Sequence, residues 1–283
     1  AESTLSELLI KNAYAALLNG SLNAVRQQKK DLIQNMRLIS EILALSAVKS
    51  SQDLSMDKAT FVRNVATGLL ESAVSNSLSK EVKLDEPATL IEGAVEGLTV
   101  GLVLGLVSNK VPLEGAGDII KSATQSAAGT TVRMGKSLQL DSGRILDFAL
   151  MSSRGSTSGI VRLIEDKRTG SAVKSSGAKL LESASYGAAM GVISNLIPPG
   201  GDVDVNQQEL VEFAEATAFG ATRGPVLHGS NENAPDYAKS AANGSVLGLT
   251  SIATHLFGKP ENLETLKAIT FAACKGAAKG AIS

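Results

Sequence analysis

The chain has 283 residues, with 27 Lys and Arg against 28 Asp and Glu, one Cys, no Trp, 27 Gly and 3% aromatic residues. Balanced charge removes the whole-chain attraction on which a dedicated nucleic-acid binder relies, and a single cysteine excludes both an internal disulfide framework and a Cys-rich zinc site. With 43% hydrophobic residues the chain can bury a large core, yet Ala, Gly and Ser occupy much of the apolar pattern that Leu and aromatics usually fill.

Ala1-Glu2-Ser3 opens the chain without Met. This fits an end left by a secretory signal, since such signals are cleaved after small residues, and it also fits an imposed boundary. A secreted or extracytoplasmic chain is the expectation, with a cytoplasmic one still open. Leu9, Ala13, Ala16 and Gly20 suggest a first helix with a small face. Arg26, Lys29 and Lys30 then read as a solvated basic cluster, and residues 32–49 as a helix of larger side chains. Residues 1–55 are therefore predicted to be a divergent N-terminal helical cap, ahead of a repeat domain over 56–283.

Eight similar segments make up that domain. They start at Phe61, Leu90, Ile119, Ile145, Leu180, Leu210, Tyr237 and Thr265, separated by 29, 29, 26, 35, 30, 27 and 28 residues. Seven residues into each stands a small residue: Gly68, Gly97, Ser126, Ser152, Gly187, Thr217, Gly244 and Ala272. Eleven residues in, the residues are small again: Ser72, Gly101, Thr130, Ser156, Gly191, Ala221, Gly248 and Gly276. The spacing puts both columns on one stripe of a helix.

Four residues before each start lies a candidate N-cap: Asp57, Glu86, Gly115, Asp141, Ser176, Asn206, Asn233 and Glu261. Pro87 suits a first helical turn, and turn-rich stretches such as Asn109 to Pro112, Glu165 to Gly170, Pro198 to Gly201 and Gly258 to Pro260 separate the units. Chance similarity in an Ala/Gly/Ser-rich chain competes with the repeat, but caps and loops agree with it independently of the register.

Glycine inside a helix costs on the order of 1 kcal/mol relative to Ala, so the glycines of the stripe need a compensating contact. Close helix packing supplies one, with backbones about 8 Å apart and extensive dispersion and Cα–H···O contacts. Gly68, Gly97, Gly101, Gly187, Gly191, Gly244, Gly248 and Gly276 are the predicted packing stripe. The expected fold is an all-α array of about eight to ten tightly packed amphipathic helices with antiparallel neighbours, because parallel neighbours would need nearly extended loops.

Catalytic signals are sparse. His228 and His255 suit helix ends, and Cys274 suits a small packed side chain. Gly155-Ser156-Thr157-Ser158-Gly159 imitates a nucleophile elbow but lies in a predicted helix, and Gly115-Ala116-Gly117 lacks the third glycine of a dinucleotide fingerprint. Asp202, Asp204 and Asn206 read as a loop and cap rather than a calcium loop. Glu212 and Glu215 have nothing near them to complete an acid/base pair. Asn19 and Asn243 match the glycosylation acceptor pattern, but their place beside the stripe argues against modification. No catalytic, cofactor-binding or metal residues are predicted.

The longest uncharged apolar run, Leu98 to Ser108, is too short to span a bilayer. The expected function is that of a non-enzymatic, secreted helical repeat protein with a structural, adhesive or surface-presenting role. The partner would be another protein or an extended surface, not nucleic acid. Three alternatives stand beside it: a carrier of an apolar ligand such as a lipid or pigment, a binder of ice or mineral, and a membrane-inserting protein that uses the glycine stripe.

Overall fold

A computed structural model describes residues 4–27, 31–51, 56–79, 87–167, 169–197, 206–257 and 262–283. Among them are ten α-helices and no strand: α1 (Leu5–Gln27), α2 (Leu32–Ser50), α3 (Lys58–Ser77), α4 (Pro87–Ser108), α5 (Gly117–Ser137), α6 (Ser142–Glu165), α7 (Ser171–Leu196), α8 (Gln207–His228), α9 (Ala234–Phe257) and α10 (Leu263–Ile282).

Several expected caps are in place. Asp57, Asp141 and Asn206 accept from the amides of Thr60, Arg144 and Gln208, satisfying donors that the first helical turn leaves free. Asp31 does the same for α2 through the amides of Ile33 and Gln34. Two positions differ from expectation. A 3-10 turn over Leu113–Gly115 lets α5 start only at Gly117, and α7 starts at Ser171, so Ser176 lies inside it. Glu86 and Glu261 lie outside the described residues.

Chain neighbours reverse direction: the end of α5 at Gly135 meets the start of α6 at Ile145, and the end of α6 at Ile164 meets the start of α7 at Gly177. The expected antiparallel neighbours are thus present. The most extensive contacts, however, join helices two apart, α2 with α4, α5 with α7 and α8 with α10 among them. The helices form two rows, α1-α3-α5-α7-α9 and α2-α4-α6-α8-α10. Within a row they run parallel, because Gly97 lies over Arg37 and Gly101 over Glu41, with numbers rising together. An intervening antiparallel helix makes the return journey, so no extended loop is needed. The core lies between the rows, with Leu98, Leu102, Phe148, Leu181 and Phe213 each at most 1% exposed.

α1 and α2 continue the two rows as their first members, Gly68 of α3 docking on Lys11 and Gly97 of α4 on Arg37. Apart from Glu92 and Glu96, α4 is apolar. It is the one helix among the described residues long and apolar enough to cross a bilayer, with a mean hydropathy of 1.8 over a window that is 78% buried here. The uncharged run inside it is short because Glu92 and Glu96 interrupt it.

Candidate functional site

All eight glycines of the predicted stripe face the helix two places earlier. A Cβ added at Gly68, Gly97, Gly101, Gly187, Gly191, Gly244, Gly248 or Gly276 would lie under 3.0 Å from a backbone carbonyl oxygen: those of Lys11, Arg37, Glu41, Lys121, Gln125, Glu182, Tyr186 and Glu215 respectively. Each glycine therefore sets its Cα hydrogens toward a carbonyl, a geometry in which weak Cα–H···O contacts add to dispersion.

The contacts also define the repeat. On α4, α6, α7 and α8 the docking glycine stands five residues after the carbonyl that receives the next helix of the row: Glu92 and Gly97, Leu150 and Gly155, Glu182 and Gly187, Glu215 and Gly220. The repeating unit is thus a helix pair. Equivalent positions are Gly68, Ser126, Gly187 and Gly244 in one row, and Gly97, Gly155, Gly220 and Gly276 in the other. The ungapped alignment of single helices has the first row and Gly97 in register but slips on α6, α8 and α10, where it picks Ser152, Thr217 and Ala272. A slip of three or four residues is close to one helical turn and keeps the same face outward, so periodicity alone does not reveal it.

Side chains at or beside the receiving carbonyls converge on a cleft of about 430 Å³ along the even row, where Asp31, Arg37, Glu92, Glu96, Arg154, Arg162 and His228 meet. Glu96 on α4 accepts from Arg37 Nη1 of α2 at 3.2 Å and pairs with Arg162 Nε of α6 at 3.0 Å. Arg154 of α6 grips Glu92 with both ends of its fork, Nε at 2.6 Å and Nη2 on the second oxygen. A bidentate guanidinium–carboxylate pair is the geometry that best survives desolvation. Burial raises the Glu96 carboxyl above its ordinary range, and Arg162 and Arg37 offset part of that rise.

His228, at the last turn of α8, faces Arg162 Nη2 across 3.4 Å through Nε2. A guanidinium only donates, so Nε2 accepts and the ring is neutral with its proton on Nδ1. Burial, with Arg162 second, pushes its pKa down to about 4. The unfolded chain therefore takes up a proton near pH 6.5 that the folded chain refuses until about pH 4. The histidine's contribution to stability is complete above pH 6.5 and drains away as pH falls toward 4. NMR titration of the ring is expected to give a midpoint near 4, moving upward in R162Q; an ordinary midpoint in the native protein would contradict the geometry.

The other sequence candidates are dispersed. His255 and Cys274 are exposed on α9 and α10, so Cys274 does not pack as expected; it falls on the opposite side of α10 from Gly276 and Gly280. Gly155 to Gly159 lie in the middle of α6, where both glycines dock on α4. Gly117 begins α5 with no strand before it. Glu215 holds Lys275 at 2.8 Å and Lys279 at 2.5 Å, whereas Glu212 accepts from Gln208. Asn19 and Asn243 lie in helices and are exposed; Asn19 Oδ1 accepts from Asn76 Nδ2 of α3 at 3.2 Å, which engages its side chain with the neighbouring helix of the row. Asp202, Asp204, Lys29 and Lys30 lie outside the described residues. Among the described residues no group of three or more His, Cys, Asp and Glu side chains could hold a metal ion.

The arginines of the cleft were missed in the sequence because Arg37, Glu92 and Arg154 come together only through rows of helices about sixty residues apart in the chain. Fold and site together define an all-α protein built from a repeated helix pair. Neither family models, curated proteins nor solved structures match the chain.

Proposed function

We propose that the chain is a non-enzymatic helical repeat protein, structural in role, that offers its surface to a protein partner. The observation that carries this reading is the use to which the cleft's charges are put. Arg37, Arg154, Arg162, Glu92 and Glu96 each engage a side chain on a neighbouring helix of the row, and Asp31 is occupied in capping α2. Groups tied in this way crosslink successive helices and present no free base or nucleophile to a substrate. Exposed large apolar residues support the partner. They concentrate on the first pair, with Leu5, Leu9 and Ile42 at 73%, 60% and 62% exposure, and on the last, with Phe271 and Ile282 at 72% and 86%.

Screening the purified chain for hydrolase, transferase and lyase turnover, beside the H228A and E96Q variants, tests the reading. No turnover is expected. An activity that either variant abolishes would replace this function with an enzymatic one centred on the cleft.

A further inference from the structure

The last helix pair departs from the inner ones at a buried position of α9 that fills the space between rows. With the docking glycines aligned, Val62, Ile120 and Leu181 of α3, α5 and α7 correspond to the buried Ala238 of α9, while in the other row Leu102, Ile160 and Pro225 of α4, α6 and α8 correspond to Ala281 of α10, which is exposed. Val62, Ile120 and Leu181 are at most 1% exposed and belong to the core. Alanine at position 238 removes bulk that would close the wedge between α8, α9 and α10. In its place is a groove of about 520 Å³ whose walls include Val226, Ala238, Ala242 and Ala281. That volume falls within the range of roughly 300–1,000 Å³ typical of small-molecule sites.

Of its polar lining residues Thr222, Asn231 and Lys239, two give the groove a chemistry. Thr222 lines it, and its hydroxyl is buried without a hydrogen-bond partner, although a threonine in a helix can ordinarily satisfy itself on the preceding turn. Lys239, exposed at the rim, is the one charged side chain among the described lining residues and makes no ion pair among them. Apolar walls ending at a lone cation suit an anionic amphiphile, with its hydrocarbon in the groove and its carboxylate against Lys239.

We propose that the terminal groove binds a medium-chain carboxylate. The site is independent of the charged cleft and of the structural reading above. Ala238 removes core bulk that its row keeps at Val62, Ile120 and Leu181, which is costly without a compensating occupant.

Calorimetric titration with decanoate and with decylamine tests this, using the native chain, A238L, A281I and K239Q. The native chain is expected to bind one decanoate saturably and to prefer it to decylamine. K239Q should weaken decanoate about fivefold, as loss of an exposed charge contact does, and erase the preference. A238L, which restores the residue type of its row, should abolish binding while raising Tm, and A281I, which fills the groove from its exposed side, should abolish binding without lowering Tm. The Tm readout separates a filled groove from a damaged fold. Failure of the native chain to bind decanoate, or undiminished binding by an A238L chain that folds normally, would overturn the proposal.

Discussion

Gly97→Val is expected to destabilise the protein by about 3 kcal/mol, lowering Tm by about 6–10 °C, whereas Gly20→Ala raises it slightly. The two glycines have the same intrinsic helix cost, so propensity predicts a gain at both positions. Packing reverses the sign at one. The Cβ added at Gly97 meets the Arg37 carbonyl and the Glu41 amide, backbone atoms of α2 that move only if the two helices separate. At Gly20 nothing lies within 4 Å, and Ala is expected to add up to about 1 kcal/mol. Thermal unfolding followed by circular dichroism measures both. Equal shifts in the two variants would show that the glycine stripe is compositional and does not set the spacing of the rows.

Arg154→Met is the second large effect. It leaves the Glu92 carboxylate, 11% exposed, without its bidentate partner between α4 and α6, at an expected cost of about 3 kcal/mol. Replacing Glu92 by Met as well should recover most of the loss, because the pair's attraction is largely offset by the desolvation of its two charges. Exposed pairs behave differently: Lys275→Ala, which removes an exposed partner of Glu215, is expected to leave stability nearly unchanged. Denaturant titrations of the single and double variants form the cycle. A double variant as unstable as Arg154→Met alone would mean that the arginine acts through its aliphatic stem and not its charge.

The helical class, the small-residue stripe and three of the caps were legible in the sequence, because each rests on local spacing. A stripe at intervals of four and three residues defines one face of one helix, and Asp57, Asp141 and Asn206 act on amides two or three residues away. The charged cleft was not legible. Glu92 and Glu96 carry no local signal of their role, because their partners Arg154, Arg37 and Arg162 are remote in the chain. His228 was noted only for its helix end; its perturbation comes from burial and from Arg162, which the row of parallel helices supplies.

The amino-acid order by itself determined that every helix after the first pair would carry a face smooth enough for another backbone to approach, since that depends only on where side chains are absent. It did not determine which backbone. A missing side chain leaves no chemical mark of its partner, and a shift of one helical turn leaves the face unchanged. Only the tertiary structure could therefore decide that each stripe docks on the helix two places earlier, running parallel, with the intervening helix folded across the other row. That choice sets the spacing of about sixty residues that brings the arginines to the glutamates, and it makes Ala238 of the last pair stand out as missing bulk. The physical reason is that backbone-to-backbone contact is specified by shape over the whole length of a helix, whereas the sequence pattern records only its period.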